Sequence, residues 1–468
     1  MKSIMDYLHD ALGERTGEGM RYGLSRWCCV LVVAVAATLA GCGESGQPAA
    51  PAKTAPAKTA PVKTTPANTA SQSTRPADTP VVDKTDVDKT DVDTFLASHW
   101  ARPLAPQGQP PAGFTPTDLS LDPATCGTCH AAQFEAWRGS LHAAAMGPGI
   151  LGQLAEMAAG ARDEHQDCIR CHAPLAEQAD SLAAALAAGG DLAELRPGGN
   201  LHLHGMSCAA CHVRGYQRYG PPRRDGSAPK DRANFPHGGW TASRAFEDSR
   251  FCAACHQFEP DQYALNGKLL ENTYEEWKAS RHAREGRTCQ SCHMPDRRHL
   301  WRGIHDPETT RAGVTIDAVK PTTDSGRILA ALNIRNSGTG HQFPTYVTPK
   351  VIVEGVQESA QGKILPGTLQ QLFIERRLKP DLSAELSDTR LAPDQSVTFN
   401  YRAARAPGAR TLVLRVRVEP DAFYTGLYRD LLASGSAAKG RRLIQHALEN
   451  SIASQYTLFE SRYPLPGA

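Results

Sequence analysis

Ten of the thirteen cysteines in this chain fall into five copies of one pattern, Cys-x-x-Cys-His. The copies are Cys126/Cys129/His130, Cys168/Cys171/His172, Cys208/Cys211/His212, Cys252/Cys255/His256 and Cys289/Cys292/His293. From the chain's own Cys and His frequencies, chance would supply on the order of 0.01 copies. Two thiols about one helical turn apart reach the two vinyl groups on one edge of a porphyrin. The histidine that follows then faces the iron from the same side, where imidazole is a strong axial ligand. The pattern therefore points to five covalently attached haems c. Zinc is the competing chemistry, since two Cys-x-x-Cys pairs make one four-cysteine site. Five pairs leave one over, and zinc gives no reason for a histidine after every second cysteine. Disulfides leave the histidine equally unexplained. The remaining cysteines have other uses, described below.

Each iron has a sixth position, and its occupant separates a carrier from an enzyme: a second histidine or a methionine fills it, whereas an open position can take a substrate. Eleven histidines beyond the N-terminal segment lie outside the motifs: His99, His142, His165, His202, His204, His237, His282, His299, His305, His341 and His446. His142, His237, His305 and His341 are the leading distal ligands, with His202 or His204, His282 and His299 competing for the fifth place. His142 and His282 share a context, E-x-W-[RK]-[GA]-S-x-H-A, in Glu135–Ala143 and Glu275–Ala283. His142 and His305 each lie 12 residues past a motif histidine. A straight helix of that length spans about 18 Å, too far to return to the motif's own haem, so these residues should reach a neighbouring one. Met146, Met206 and Met294 are weaker ligands. Trp137, Trp277 and Trp301 fit haem-packing aromatics. No catalytic residue is identified.

These residues need a compartment and a scaffold. The apolar run Cys28–Ala40 follows Arg21 and Arg26 and ends in Leu39-Ala40-Gly41-Cys42, a lipoprotein signal with Cys42 as the lipidated residue. Cys28 and Cys29 leave with the signal, so no cysteine remains for other work. Gly43 rather than Asp follows, which by resemblance to bacterial lipoproteins implies the outer membrane. Acidic residues before Met20 fit a signal poorly and point to Met20 as the start. Residues 43–94 are a disordered Pro/Ala/Thr/Lys tether with the repeats PAKTA, PAKTA, PVKTT and PANTA, then VDKTDVDKTDVD. Such stretches have too little apolar surface to offset chain entropy.

Residues 95–310 hold every motif and form a pentahaem domain, mostly helical and irregular, with one clear helix from Pro174 to Ala188 stopped by Gly189-Gly190. Its apolar segments are few, and five haems would supply missing apolar surface. From 311 to 421 the pattern changes. Ile328/Ala330/Leu332/Ile334, Val397/Phe399/Tyr401 and Leu412/Leu414/Val416/Val418 alternate with polar neighbours, which predicts half-buried strands and a β-sandwich. Residues 422–468 return to helix, with Ile444, Leu448, Ile452 and Tyr456 on one face. The fold class is multidomain α+β: signal 1–42, tether, haem domain, sandwich and C-terminal helices.

Three stretches carry a resemblance. CGTCHAAQFEAWRGSLHAAAMGP, NTYEEWKASRHAREGRTCQSCHMPDRRHLWRGIHDP and NSGTGHQFPTYVTPKV resemble the multihaem cytochromes related to the tetrahaem electron carriers of ammonia oxidation. The resemblance spans residues 95 to about 355. It implies closely stacked, mostly bis-histidine haems, and His142 matches the family's distal-ligand context after W-x-x-S. This chain departs from the family in having a fifth motif, a sandwich and a tether.

The net charge of +2 argues against nucleic acid as a partner. The expected function is electron transfer in the periplasm or at the outer membrane. The partners would be redox proteins: other cytochromes, a quinol-linked donor or an outer-membrane conduit. The membrane itself is reached through the lipid anchor. One alternative is a haem oxidoreductase acting on a small nitrogen or sulfur compound at one five-coordinate haem. Another is a cytochrome whose sandwich docks it to a porin. His341, in the turn Gly340-His341-Gln342-Phe343-Pro344, discriminates: as a ligand it makes the sandwich part of the haem unit.

Overall fold

Val92, Phe95, Leu96 and His99 recur at the spacing of one helical face. They anchor the first helix of the computed structural model, α1 (Lys84–His99), with Val92 and His99 buried. The structure describes residues 84–227 and 235–465. The signal segment, Cys28, Cys29, Cys42 and the tether up to residue 83 lie outside them. The tether was expected to run to residue 94, yet helix begins at Lys84, because the stripe that starts at Val92 nucleates a helix that extends backward through the VDKT repeat. From Val92 onward the described chain is one compact unit. Among the described residues no helix is long and apolar enough to cross a membrane.

The haem region is built from short helices joined by loops. They include α2 (Ala131–Arg138), α3 (Pro148–Leu154), α4 (Arg162–His172), α5 (Ala176–Ala188) and α6 (Thr273–Lys278). Helix α5 stops where glycine was expected to stop it: Gly189 takes φ 67° and caps the last turn. One apolar core gathers Ile150, Leu151 and Leu154 of α3 with Ile169 and Leu182. About a third of that core comes from the far end of the chain. Helices α7 (Ala422–Ser434) and α8 (Arg441–Ala453) contribute Tyr424, Leu427, Tyr428, Leu431, Leu443, Ile444 and Ala447. Gly152 of α3 meets Gly440 there, and a Cβ on Gly440 would fall 2.1 Å from the Gly152 carbonyl oxygen.

Eight strands form the sandwich: β1 (Val314–Asp324), β2 (Arg327–Asn336), β3 (Lys350–Glu358), β4 (Gln370–Leu378), β5 (Glu385–Asp388), β6 (Ser396–Ala404), β7 (Thr411–Glu419) and β8 (Tyr456–Pro464). One antiparallel sheet has the order β5-β4-β3-β7-β8 and the other β6-β2-β1. The alternating rows face each other in one core, with Leu332, Ile334, Val351, Val353, Leu412, Leu414 and Val416 all buried. Strand β8 corrects the expected all-helical tail. Helix α8 ends at Ala453, Ile452 is exposed, and Tyr456 pairs with Val418. Tyr456, Leu458, Phe459 and Tyr463 cover the open edge of β7 and add to its core, and that burial outweighs the four-residue spacing that favoured helix.

The haem region and the sandwich are tied by charge. Arg376, 1% exposed, bonds the carbonyls of Leu265, Lys268 and Leu269 and pairs with Glu385 at 2.8 Å. Lys268 reaches Glu385 and Asp388 at 2.7 and 2.8 Å.

Candidate metal centres

Each motif sits on, or at the end of, a short helical turn, which places its two cysteines on one face. The first follows Pro123–Gly127, capped by Asp122; the second ends α4; the others occupy Cys208–His212, Arg250–His256 and Cys289–His293. Ser207 caps the third by accepting from Ala210 N.

The motif histidines are oriented through Nδ1. His172 meets the Ala145 carbonyl at 2.6 Å, His212 that of Tyr219 at 2.7 Å and His293 that of Arg302 at 2.7 Å. His256 instead meets the Tyr346 hydroxyl at 3.0 Å. With Nδ1 donating, the Nε2 lone pair is left for a metal.

Three motif histidines face a second imidazole. His142 stands opposite His256 with centroids 6.2 Å apart, His299 opposite His212 at 6.1 Å, and His341 opposite His293 at 6.4 Å. The ring planes cross at 62°, 39° and 15° respectively. Two imidazoles bound to one iron from opposite faces, with metal–nitrogen bonds of roughly 2 Å, hold their centroids about 6 Å apart. The spacing therefore fits a haem between each pair. Burial pushes His142 down to about 3 and His256, His299 and His341 to about 4, which keeps them in the neutral, ligating form. His237, bonded through Nδ1 to Gly239 O at 2.9 Å, stands within electrostatic reach of His130. His172 faces no second histidine ring among the described residues.

Among the described residues the other predicted ligands make no ring contact with a motif histidine, although His202 Nε2 is buried without a partner. His305 lies 3.0 Å from both carboxylate oxygens of Asp421, so it ties the loop before Pro307–Gly313 to the start of α7 rather than reaching a motif. His202 bonds Ser181 at 2.9 Å, and His204 is 3.6 Å from Asp122. His282 is buried with Nδ1 unpartnered, but it faces no motif histidine. Its shared sequence context with His142 therefore did not carry a shared placement. Met206 is buried 4.0 Å from the Cys211 sulfur, and Met146 is in the apolar core. Trp301 packs edge-on against both His142 and His299 at 4.7 and 5.1 Å, a packing role for the aromatic. Trp137 and Trp277 donate to the carbonyls of Met206 and Arg287.

The thiols order the attachment sites. Cys126 stands beside Cys208, Cys171 beside Cys255, and Cys289 beside Cys252. Cys211 lies close enough to raise both thiols of the fourth motif. Motif one thus adjoins motif three, and motif four adjoins two, three and five. Cys129 and Cys292, at the two ends of this series, are exposed. Among the described residues no cluster of three or more His, Cys, Asp or Glu side chains is arranged to hold a metal ion directly.

Tyr346 escaped the sequence reading. Its signal was its position five residues past His341 in the same turn, but nothing in the sequence shows that this turn lies against His256.

The family of cytochrome c554 and c-prime matches residues 125–212, which hold the first three motifs. A penta-haem cytochrome c552 from Thermochromatium tepidum, known from its crystal structure, shares the fold with a TM-score of 0.53 at 18% identity. The match covers 75% of this chain and 100% of that one. No functionally curated protein matches. Motifs, ring spacing and these likenesses together define a multihaem c-type cytochrome that binds haem c covalently.

Proposed function

We propose that this protein is an exported, lipid-anchored pentahaem electron carrier. It would work on the periplasmic side, at the outer membrane, and exchange electrons with other cytochromes or similar redox proteins. The observation that carries the reading is the set of three facing imidazole pairs. Each bound haem supplies a one-electron iron couple. The chain's own residues do the rest. His142, His299 and His341 occupy the face opposite a motif histidine, which denies that face to small ligands, and His237 is placed to do the same for His130. Burial keeps these imidazoles neutral, and backbone carbonyls hold most of them in orientation. The series of attachment sites from motif one through three and four to five would be the route along which electrons pass between partner proteins. Cys42 would hold the chain to the membrane through the tether.

A second reading rests on His172 alone. With no facing imidazole, its haem would be open to a small nitrogen or sulfur compound, as in an oxidoreductase. An electron paramagnetic resonance spectrum of the oxidised holoprotein tests both. The carrier reading expects low-spin ferric signals from the paired sites. High-spin signals from more than one haem would overturn it, and a single high-spin haem that binds nitrite or sulfite would favour the second reading.

A further inference from the structure

Three motif histidines donate Nδ1–H to a backbone carbonyl, whose strength no side-chain substitution alters. His256 is different. Its Nδ1 partner is a side chain, Tyr346, delivered by the loop that joins the two sheets. If Nε2 offers its lone pair to iron, Nδ1 carries the proton and the phenol oxygen accepts it. Thr273 stands beside the same hydroxyl. Thr273 Oγ1 lies 2.7 Å from Thr345 Oγ1, and Thr345 Oγ1 donates to Glu276, the partner of Arg390. A line of polar side chains thus runs from His256 to the charged seam between haem region and sandwich.

Tyr346 holds this position at φ 61°. For a bulky residue the left-handed region is a strained outlier, and glycine would sit there freely but without a hydroxyl. The strained residue also serves the most connected site. Motif four adjoins motifs two, three and five through its thiols, and His142, the ring facing His256, stands within electrostatic reach of His293, His172 and His299.

We propose that Tyr346 is a positioning residue that sets the basicity of His256 and, through it, the reduction equilibrium of the haem at the junction of the five sites. The inference rests on the carrier reading, which makes His256 an axial ligand. Acceptance of a hydrogen bond from Nδ1 shifts electron density toward Nε2 and favours ferric iron. The sandwich thereby tunes a haem that it does not attach.

The test is a potentiometric titration of full-length holoprotein, followed by electron paramagnetic resonance. Near-perpendicular imidazole planes leave two iron d orbitals almost degenerate and make the ferric signal strongly anisotropic. The 62° crossing of His142 and His256 is the steepest of the three pairs, so it marks which haem moves. Tyr346→Phe keeps the ring and removes the acceptor. We expect five haems retained and that one haem easier to reduce by about fivefold, the equivalent of one net hydrogen bond. Thr273→Val should move the same haem in the same direction by less. Tyr219→Phe should move none, because it is the Tyr219 carbonyl that accepts from His212. Unchanged equilibria in Tyr346→Phe, equal shifts at all haems, or loss of haem would overturn the proposal. A high-spin state of that haem in the unsubstituted protein would overturn the carrier reading first.

Discussion

The sandwich and the haem region bury their interiors by different means. In the sandwich, alternation along each strand sends Leu332, Val353, Leu412 and Val416 to a shared interior with essentially no exposure. In the haem region the apolar core lies at one end, where α3 and α5 meet the C-terminal helices. Around motifs three and four there is only a small apolar cluster of Leu104, Leu175, Met206, Ala209, Ala210 and Val213, most motif cysteines are partly exposed, and His142 carries a buried ring nitrogen with no partner. Buried polar groups without partners are costly, so this interior is complementary to a group that brings metal and apolar surface together. One region carries its core in its sequence; the other is completed by a cofactor.

Removing the cofactor should therefore separate the two most sharply. Protein made without haem attachment, with the motif cysteines replaced by alanine, should lose its helical circular-dichroism signal and be cleaved by protease between about residues 95 and 310. The sandwich strands should persist in it. A cofactor-free chain with native helix content would break the comparison.

His341→Ala tests the point where the regions meet. It should turn one low-spin haem into a high-spin one, leave five haems attached, and let the sandwich unfold at a lower temperature than the haem region. Spectra and calorimetry read both effects. An unchanged haem spectrum in folded protein would make the sandwich an independent docking module.

Leu332→Ala strikes the sandwich core alone. Large-to-small changes at fully buried positions cost about 2–5 kcal/mol, which denaturant titration would measure. Haem spectra should not move.

The smallest effect is expected at the seam. Burial would raise Asp388, but hydrogen bonds from Arg390 and Lys268 outweigh it and hold the carboxyl well below the usual carboxylate range. A carboxylate with a depressed folded-state pKa stabilises the fold fully above its unfolded value, near 4, and that contribution disappears as pH falls below it through the depressed folded-state value. Asp388→Asn should cost about 1 kcal/mol at neutral pH and nothing further in strong acid. The test is a comparison of denaturation midpoints across that pH range.

The haem-attachment motifs can be read in the sequence because thioether chemistry requires local spacing, and the structure puts each of them on or beside a short helical turn. The sandwich was legible for the same reason: a strand's buried face repeats every second residue. The axial partners were only partly legible. His142 and His341 were named from context, but His305 was matched to the same 12-residue spacing and lies on Asp421 instead. His299 was ranked behind it and faces His212. Spacing shows only that a histidine cannot return to its own motif; it does not say which motif it reaches. The tail behaved likewise. Ile444 and Leu448 follow a helical period, yet Tyr456 joins β8 because an open strand edge was waiting beside it. The sequence by itself determined what must be covalent and what must be periodic, since both depend on neighbours a few residues apart. Tertiary structure alone decided which imidazole faces which, which motif adjoins which, and that Tyr346 meets His256 across 90 residues of chain. Those contacts join segments whose separation along the chain carries no information about their distance in space.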